Sequence, residues 1–155
     1  MNIGFTGTRD GMTNRQKMMF TAVLSLQFMN EKIYFHHGDC MGADEEADNI
    51  VTYQLLETPT RGQIHIHPPD KTTYQAHCHT VNSPFNRLDQ SKPSNRRMVV
   101  WWEERPYLER NREIVDEIDI LVAAPSSTTE ELRSGTWSTV RYARKKKKTI
   151  IIIYP

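Results

Sequence analysis

Thr149-Ile150-Ile151-Ile152-Ile153-Tyr154, near the C-terminus, is the stretch on which the fold class turns. Its four consecutive isoleucines leave no in–out alternation of the kind a half-buried strand shows. An unbroken apolar run predicts a strand covered on both faces, as in a parallel sheet between helices. Immediately upstream, Ser134-Gly135-Thr136 opens a predicted helix with Trp137, Val140 and Ala143 facing inward. Before that, Ile118 to Ala124 reads as a buried strand stopped by Pro125. Tyr107 to Glu117 reads as a helix with Leu108, Val115 and Ile118 roughly on one side, and Pro106 suits its first turn.

The N-terminal half repeats the alternation. Residues 2–6 form a β-rich run that ends in Gly7-Thr8-Arg9. Thr13-Asn14-Arg15-Gln16 fits the capping box S/T-x-x-E/Q, and Met19, Ala22, Val23, Leu26 and Met29 follow at helical spacing, which predicts a helix over about 13–29. Ile33 to His36 is the second strand. A helix over about 43–57 places Ala47, Ile50, Val51 and Leu55 on one face. Gln63 to His67 is the third strand, ended by Pro68-Pro69. The middle is irregular, with five of the eight prolines between 59 and 93. Met98 to Trp102 reads as a short extra strand. Strands alternating with helices imply βαβ units and right-handed crossovers. The expected fold is α/β, a Rossmann-like three-layer sandwich with a central, mostly parallel sheet of about five strands. It is one domain over 1–155, with an irregular insert at about 70–105.

Composition narrows the function classes. The 155 residues suit one domain. Twenty Lys and Arg against 19 Asp and Glu give a net charge of +1, so bulk charge predicts no avid nucleic-acid or membrane partner. No apolar stretch approaches the ~20 residues of a membrane span. The opening residues lack a basic region followed by a long apolar run, so no signal peptide is expected. Two cysteines, Cys40 and Cys78, make no disulfide framework. The expected location is cytoplasmic.

In a parallel sheet all strand C-termini share one edge, and ligands bind there. Gly7-Thr8-Arg9, the run from Gly38 to Asp44, Pro125-Ser126-Ser127-Thr128 and Ser134-Gly135-Thr136 all fall on that edge. Glycine lets a backbone approach a ligand closely, and helix N-termini offer free N–H groups to a phosphate. The glycines do not spell G-x-G-x-x-G, and no Walker lysine pattern is present. A plain NAD enzyme and a P-loop NTPase are therefore disfavoured, and a phosphate-bearing ligand is expected without a resident cofactor.

GFTGTRDGMT (4–13), HHGDCMGADEEA (36–47), IHPP (66–69), YLERNREIVDEIDILVAAP (107–125) and SGTWSTVRYARKKKKTIIII (134–153) together resemble the SLOG superfamily. That group contains the Lonely Guy phosphoribohydrolases, the DNA-processing protein DprA and nucleotide-sensing domains of defence systems. The resemblance covers most of the chain except about 70–100. It implies a Rossmann-like fold that binds a nucleotide or nucleotide-derived molecule. Gly7, Thr8 and Arg9 match the first ligand loop, and Gly38, Asp39, Gly42, Ala43 and Asp44 the second. Arg110, Asn111 and Arg112 match a segment that faces nucleic-acid phosphate in DprA-like members. Ser134, Gly135 and Thr136 match the last phosphate loop, and Pro125 closes the preceding strand. In Lonely Guy enzymes that last loop reads PGGxGTxxE, with a catalytic glutamate. Here Thr139 occupies the glutamate's place, so no catalytic residue is assigned. The expectation is a binder, a sensor or sponge for a nucleotide-derived signal. A Lonely Guy-like N-glycosidase and a DprA-like single-strand DNA binder stand as alternatives.

Other constellations carry weaker expectations. His65 and His67 share a strand face and, with His77, Cys78 and His79, offer donors without matching a zinc spacing, so no metal is assigned. Cys40 sits beside His36 and His37, but a small residue filling a turn is the favoured reading. Arg110 and Arg112 point about 200° apart on a helix, so at most one faces a cleft. Residues 133–148 hold seven Lys or Arg and no acid, read as a solvated helix end ahead of nucleic-acid contact. Trp101-Trp102 and the apolar run around them suggest a homo-oligomer, most simply a dimer.

Overall fold

A computed structural model describes residues 1–28, 32–57, 62–79 and 99–155. Its elements, in chain order, are β1 (Asn2–Gly7), α1 (Asn14–Phe28), β2 (Ile33–His37), α2 (Ala43–Glu57), β3 (Gly62–Ile66), a 3-10 turn (Thr72–Tyr74), β4 (Val99–Trp101), α3 (Tyr107–Glu117), β5 (Ile120–Ala124), α4 (Gly135–Lys145) and β6 (Thr149–Ile152). The strands form one six-stranded sheet in the order β4-β3-β2-β1-β5-β6. Every pairing is parallel. The fold is α/β and Rossmann-like, with one strand more than the five expected. The added strand is β4, beside β3, within the stretch read as a short extra strand. Met29 and Met98 lie outside the described residues, as do Pro84 and Pro93 of the irregular insert.

Helices cover both faces. On one side α1 and α2 bury Phe20, Leu24, Ala47 and Val51 against Phe5, Phe35 and Ile64 of the sheet. Phe5, Phe20 and Phe35 pack with ring centroids 5.0–6.4 Å apart. On the other side α3 and α4 bury Ile114, Val115, Trp137, Val140 and Ala143 against Leu121 and Ala123. The capping box of α1 is formed in both directions: Gln16 N–H donates to Thr13 Oγ1, and Thr13 N–H to Gln16 Oε1. The Gln16 amide also donates to the carbonyls of Pro125 and Ile153, so this cap ties the helix start to the ends of two strands.

Three expectations about faces need correction. In α1 the buried stripe is Gln16, Phe20 and Leu24, while Met19 and Leu26 are exposed. The helix is apolar on more than one side, so spacing alone selected the wrong stripe. In α3 Leu108 is 56% exposed, and Arg110 takes the buried place. Finally, Ile150, Ile151 and Ile152 are only half-buried, because β6 is an edge strand. Burial on both faces belongs instead to β1 and β5, in the middle of the sheet.

Candidate binding cleft

Strand order reverses between β1 and β5, which pair in register from Ile3↔Ile120 to Gly7↔Ala124. The connections from β1 run toward β2, and those from β5 toward β6, so the chain parts above this junction. A cavity of about 300 Å³ opens there. Its walls come from the end of β1 (Thr6, Gly7), the following loop (Arg9), the β2–α2 turn (Cys40), the first turn of α2 (Asp44), α3 and the start of α4.

Arg110 is the centre of the cleft. It is 3% exposed, yet it lines the cavity. Its Nη2 donates to Cys40 Sγ at 3.2 Å, and its Nη1 lies 3.8 Å from Asp44 Oδ2. Its Nε is buried with no hydrogen-bond partner among the described residues. A buried guanidinium with a sulfur acceptor, one loose carboxylate and an unused N–H has spare capacity for an anion. Asp44 Oδ2 also accepts from the N–H groups of Gly38 and Cys40, at 3.2 and 3.4 Å. Burial pushes its carboxyl up, while Arg110 and the two backbone donors pull against it. Burial, reinforced by Asp44, also pushes the Cys40 thiol up, so it is no activated nucleophile. Neither His36 nor His37 serves it as a base; His36 pairs with His67 and His37 with Asp48.

The mouth carries a second cation. The Arg9 guanidinium sits 4.2 Å above the Tyr74 ring and 5.7 Å from that of Tyr107, a stacking geometry suited to a planar cation. On the far wall α4 begins. Ser134 caps it, accepting from Trp137 N–H at 3.3 Å, and Gly135 and Thr136 of its first turn line the cavity. A Cβ on Gly135 would meet nothing within 4 Å among the described residues, so this face of the helix start is open. Thr139 also lines the cavity, but its hydroxyl donates to the Gly135 carbonyl and accepts from Asn111 Nδ2 at 2.9 Å.

Of the residues singled out from sequence, the cavity gathers Gly7, Arg9, Asp44, Arg110, Asn111, Gly135 and Thr136. The others sit behind it. The Thr8 carbonyl accepts from Gly11 and Ala43, joining the first loop to α2. Gly42, at φ +86°, lies against the Arg9 carbonyl, where a Cβ would overlap. Ala43 is buried against Gly7, and Pro125 lends its carbonyl to Gln16. The Asp39 carboxylate is taken by Gln75 Nε2 at 2.8 Å and Cys78 N–H at 2.9 Å, so it straps residues 75–78 down rather than facing the cavity. Arg112 points away from the cleft, its guanidinium 5.7 Å from the Tyr142 ring. Sequence reading missed Tyr107 and Arg133 as lining residues. Tyr107 stands at the first position of α3, where a helix meets the strand edge, and that position was its only signal.

The histidines divide between the two faces of the sheet. His36, His65 and His67 cluster on the α3 side with Trp102, which stacks on His67 with centroids 4.5 Å apart. The Glu113 carboxylate accepts from His67 Nδ1 at 3.0 Å, so His67 Nε2 accepts from His36 Nδ1, also at 3.0 Å. Burial, with the neighbouring imidazoles, lowers His36 to about 2 and His67 to about 3. Cys78 and His79 lie on the opposite side, against α2. The sheet thus separates the donors that the sequence suggested as a metal group.

A different trio, His37, Asp48 and Cys78, has ligand atoms within 4.8 Å of one another. There Asp39 N–H donates to His37 Nδ1 at 3.2 Å, which leaves the ring proton on Nε2, facing Asp48 at 3.2 Å. That nitrogen has no lone pair for a cation. Burial alone would raise the Asp48 carboxyl, but the imidazoles of His37 and His79 beside it outweigh burial and hold it at about 2. All three residues of the trio are buried.

Three of the seven cations of the basic stretch are paired with acids. Arg141 and Arg144 pair with Glu130, and Lys146 with Asp116. No helix among the described residues is long and apolar enough to cross a membrane. No protein-family model matches the chain, and comparison with curated proteins finds no match.

Proposed function

We propose that this protein binds a nucleotide or nucleotide-derived small molecule in the cleft above β1 and β5, in the manner of a SLOG domain, and does not turn it over. The observation that carries the reading is Arg110: a buried guanidinium with an unpartnered Nε in the wall of a cavity that also receives the N-terminal turn of α4. A phosphate between these two groups gains a charged donor and backbone N–H groups at once. Arg9, stacked at the mouth, closes over it. The protein then acts as a sensor or sponge for its ligand.

Thr139 supports binding over hydrolysis. Cleaving an N-glycosidic bond needs a carboxylate to stabilise the sugar cation or activate water. At this position a neutral hydroxyl is already committed to Gly135 and Asn111. Glu130, near in sequence, is tied to Arg141 and Arg144 and is not part of the cavity wall. Asp44 is the one carboxylate in the wall among the described residues, and three donors already surround it. The single-strand DNA reading is weakened by the net charge of only +1 and because Glu130 and Asp116 pair with three of the seven cations of the basic stretch.

We place the protein in the cytoplasm, in keeping with its two free cysteines, and as a homodimer, in keeping with Trp101, exposed on edge strand β4. A thermal-shift screen of mononucleotides and NAD-derived compounds tests the binding, since a ligand of the native state alone raises Tm. Light scattering at micromolar concentration tests the dimer, and an 18 kDa species contradicts it.

A further inference from the structure

A second cavity, of about 250 Å³, lies between α3 and α4. Leu108, Asn111 and Thr139 line both cavities. They form a low ridge, closed by the Asn111–Thr139 hydrogen bond and topped by the exposed Leu108. Beyond the ridge the walls hold Arg112, Arg141 and Lys145 and no carboxylate. Arg141 is spent on Glu130 and on the carbonyls of Glu131 and Leu132. Arg112 rests on the Tyr142 ring without an acidic partner among the described residues, and Lys145 has none there either. Asp116, one turn beyond Arg112 on α3, is taken by Tyr142 and Lys146.

Cations thus stand on both sides of the shared wall: Arg9 and Arg110 in the cleft, the latter beside Asp44, and Arg112 and Lys145 in the groove without acidic partners among the described residues. Along α4, Ser138 at one end of the groove stands about 3 Å from Thr136 of the cleft, and Lys145 about 13.5 Å. A ligand with a phosphate at each place must cross the shared wall, as two phosphates separated by a sugar do.

We propose that the α3–α4 groove is a second phosphate subsite, and that the ligand is two phosphodiester-linked nucleotides. One phosphate lies in the cleft by Arg110, the other between Arg112 and Lys145, and the intervening nucleoside crosses Leu108. This rests on the cleft being a nucleotide site. At the low end of ordinary ligand pockets, which run from about 300 to 1,000 Å³, the cleft alone holds only part of such a ligand.

Calorimetry with AMP, with the linear dinucleotide pApA and with a ten-residue oligodeoxyadenylate tests this. The expected result is pApA binding about tenfold tighter than AMP, with a salt slope steeper by about 0.7 for its added phosphate. Lys145→Glu, at an exposed position, should abolish that gain and leave AMP affinity intact. Equal affinities for AMP and pApA, or a gain that survives Lys145→Glu, overturn the groove subsite while the cleft stands. An oligodeoxyadenylate that far outbinds pApA overturns the dinucleotide in favour of a strand. Binding of none of the three overturns the cleft reading and the groove together.

Discussion

The Arg110 guanidinium lies against the Cα of Gly38, in the space a Cβ would fill. The contact joins α3 to the turn after β2, and it is what lets a 3% exposed arginine reach the cleft wall. Gly38→Ala forces the guanidinium to move. The expected cost is about 1–3 kcal/mol of stability from overpacking, with a loss of ligand affinity beyond that of distant variants of equal stability. Urea titration and calorimetry on the same sample read the two effects. A variant with full affinity contradicts the role given to Arg110.

Arg9 is exposed and, among the described residues, its guanidinium is held by ring stacking on Tyr74 and Tyr107, so its removal should spare the fold. Arg9→Ala is expected to weaken binding by about 1.5–3 kcal/mol, the range for a charge-assisted hydrogen bond, with Tm nearly unchanged. A calorimetric titration that shows the same Kd as the parent removes Arg9 from the site.

Acid should destabilise the protein through the imidazole cluster. His36 and His67 are held at about 2 and about 3, against 6.5 for a free histidine. Below pH 6.5 the unfolded chain therefore binds protons that the folded one refuses. Stability falls as pH drops, by up to about 1.4 kcal/mol per pH unit for each of the two groups. Above 6.5 these groups contribute no slope. Asp48, held at about 2, adds a further loss below its ordinary 3.8. The urea midpoint should decline below pH 6. A midpoint unchanged down to pH 4.5 contradicts the buried, neutral assignment.

The alternation of strands and helices made the parallel sheet legible, because short apolar runs and capping signals are local. The faces of α1 were not legible, since Met18, Met19 and Leu26 are as apolar as the buried Phe20 and Leu24. The isoleucine run at 150–153 marked a strand but not its place in the sheet; strand order is a non-local property. In the site, glycine-bearing strand ends were readable. That Asp39 would turn to Gln75 and Cys78 was not, because its partners lie 36 and 39 residues away. The same distance hid the pairing of Cys40 with Arg110, 70 residues on.

Thr139 projects into the cleft from the second turn of α4, and a glutamate there would be the one acid free of backbone donors. Thr139→Glu is expected to break the Asn111 contact, costing about 1 kcal/mol, and to raise any release of base from bound mononucleotide. The expected gain falls in the 10²–10⁴-fold range of general acid–base help. Chromatography for free adenine from AMP reads it. Equal rates in parent and variant dissociate Thr139 from the chemistry.

The central claim is binding without turnover, and one mixture tests it. AMP, GMP and CMP are titrated calorimetrically into the parent protein, and the same samples are then chromatographed for free base. The account predicts saturable heat with at least one of them and no base released beyond trace. Release faster than about one turnover per second, within the ordinary enzyme range, would contradict it and make the cleft an active site.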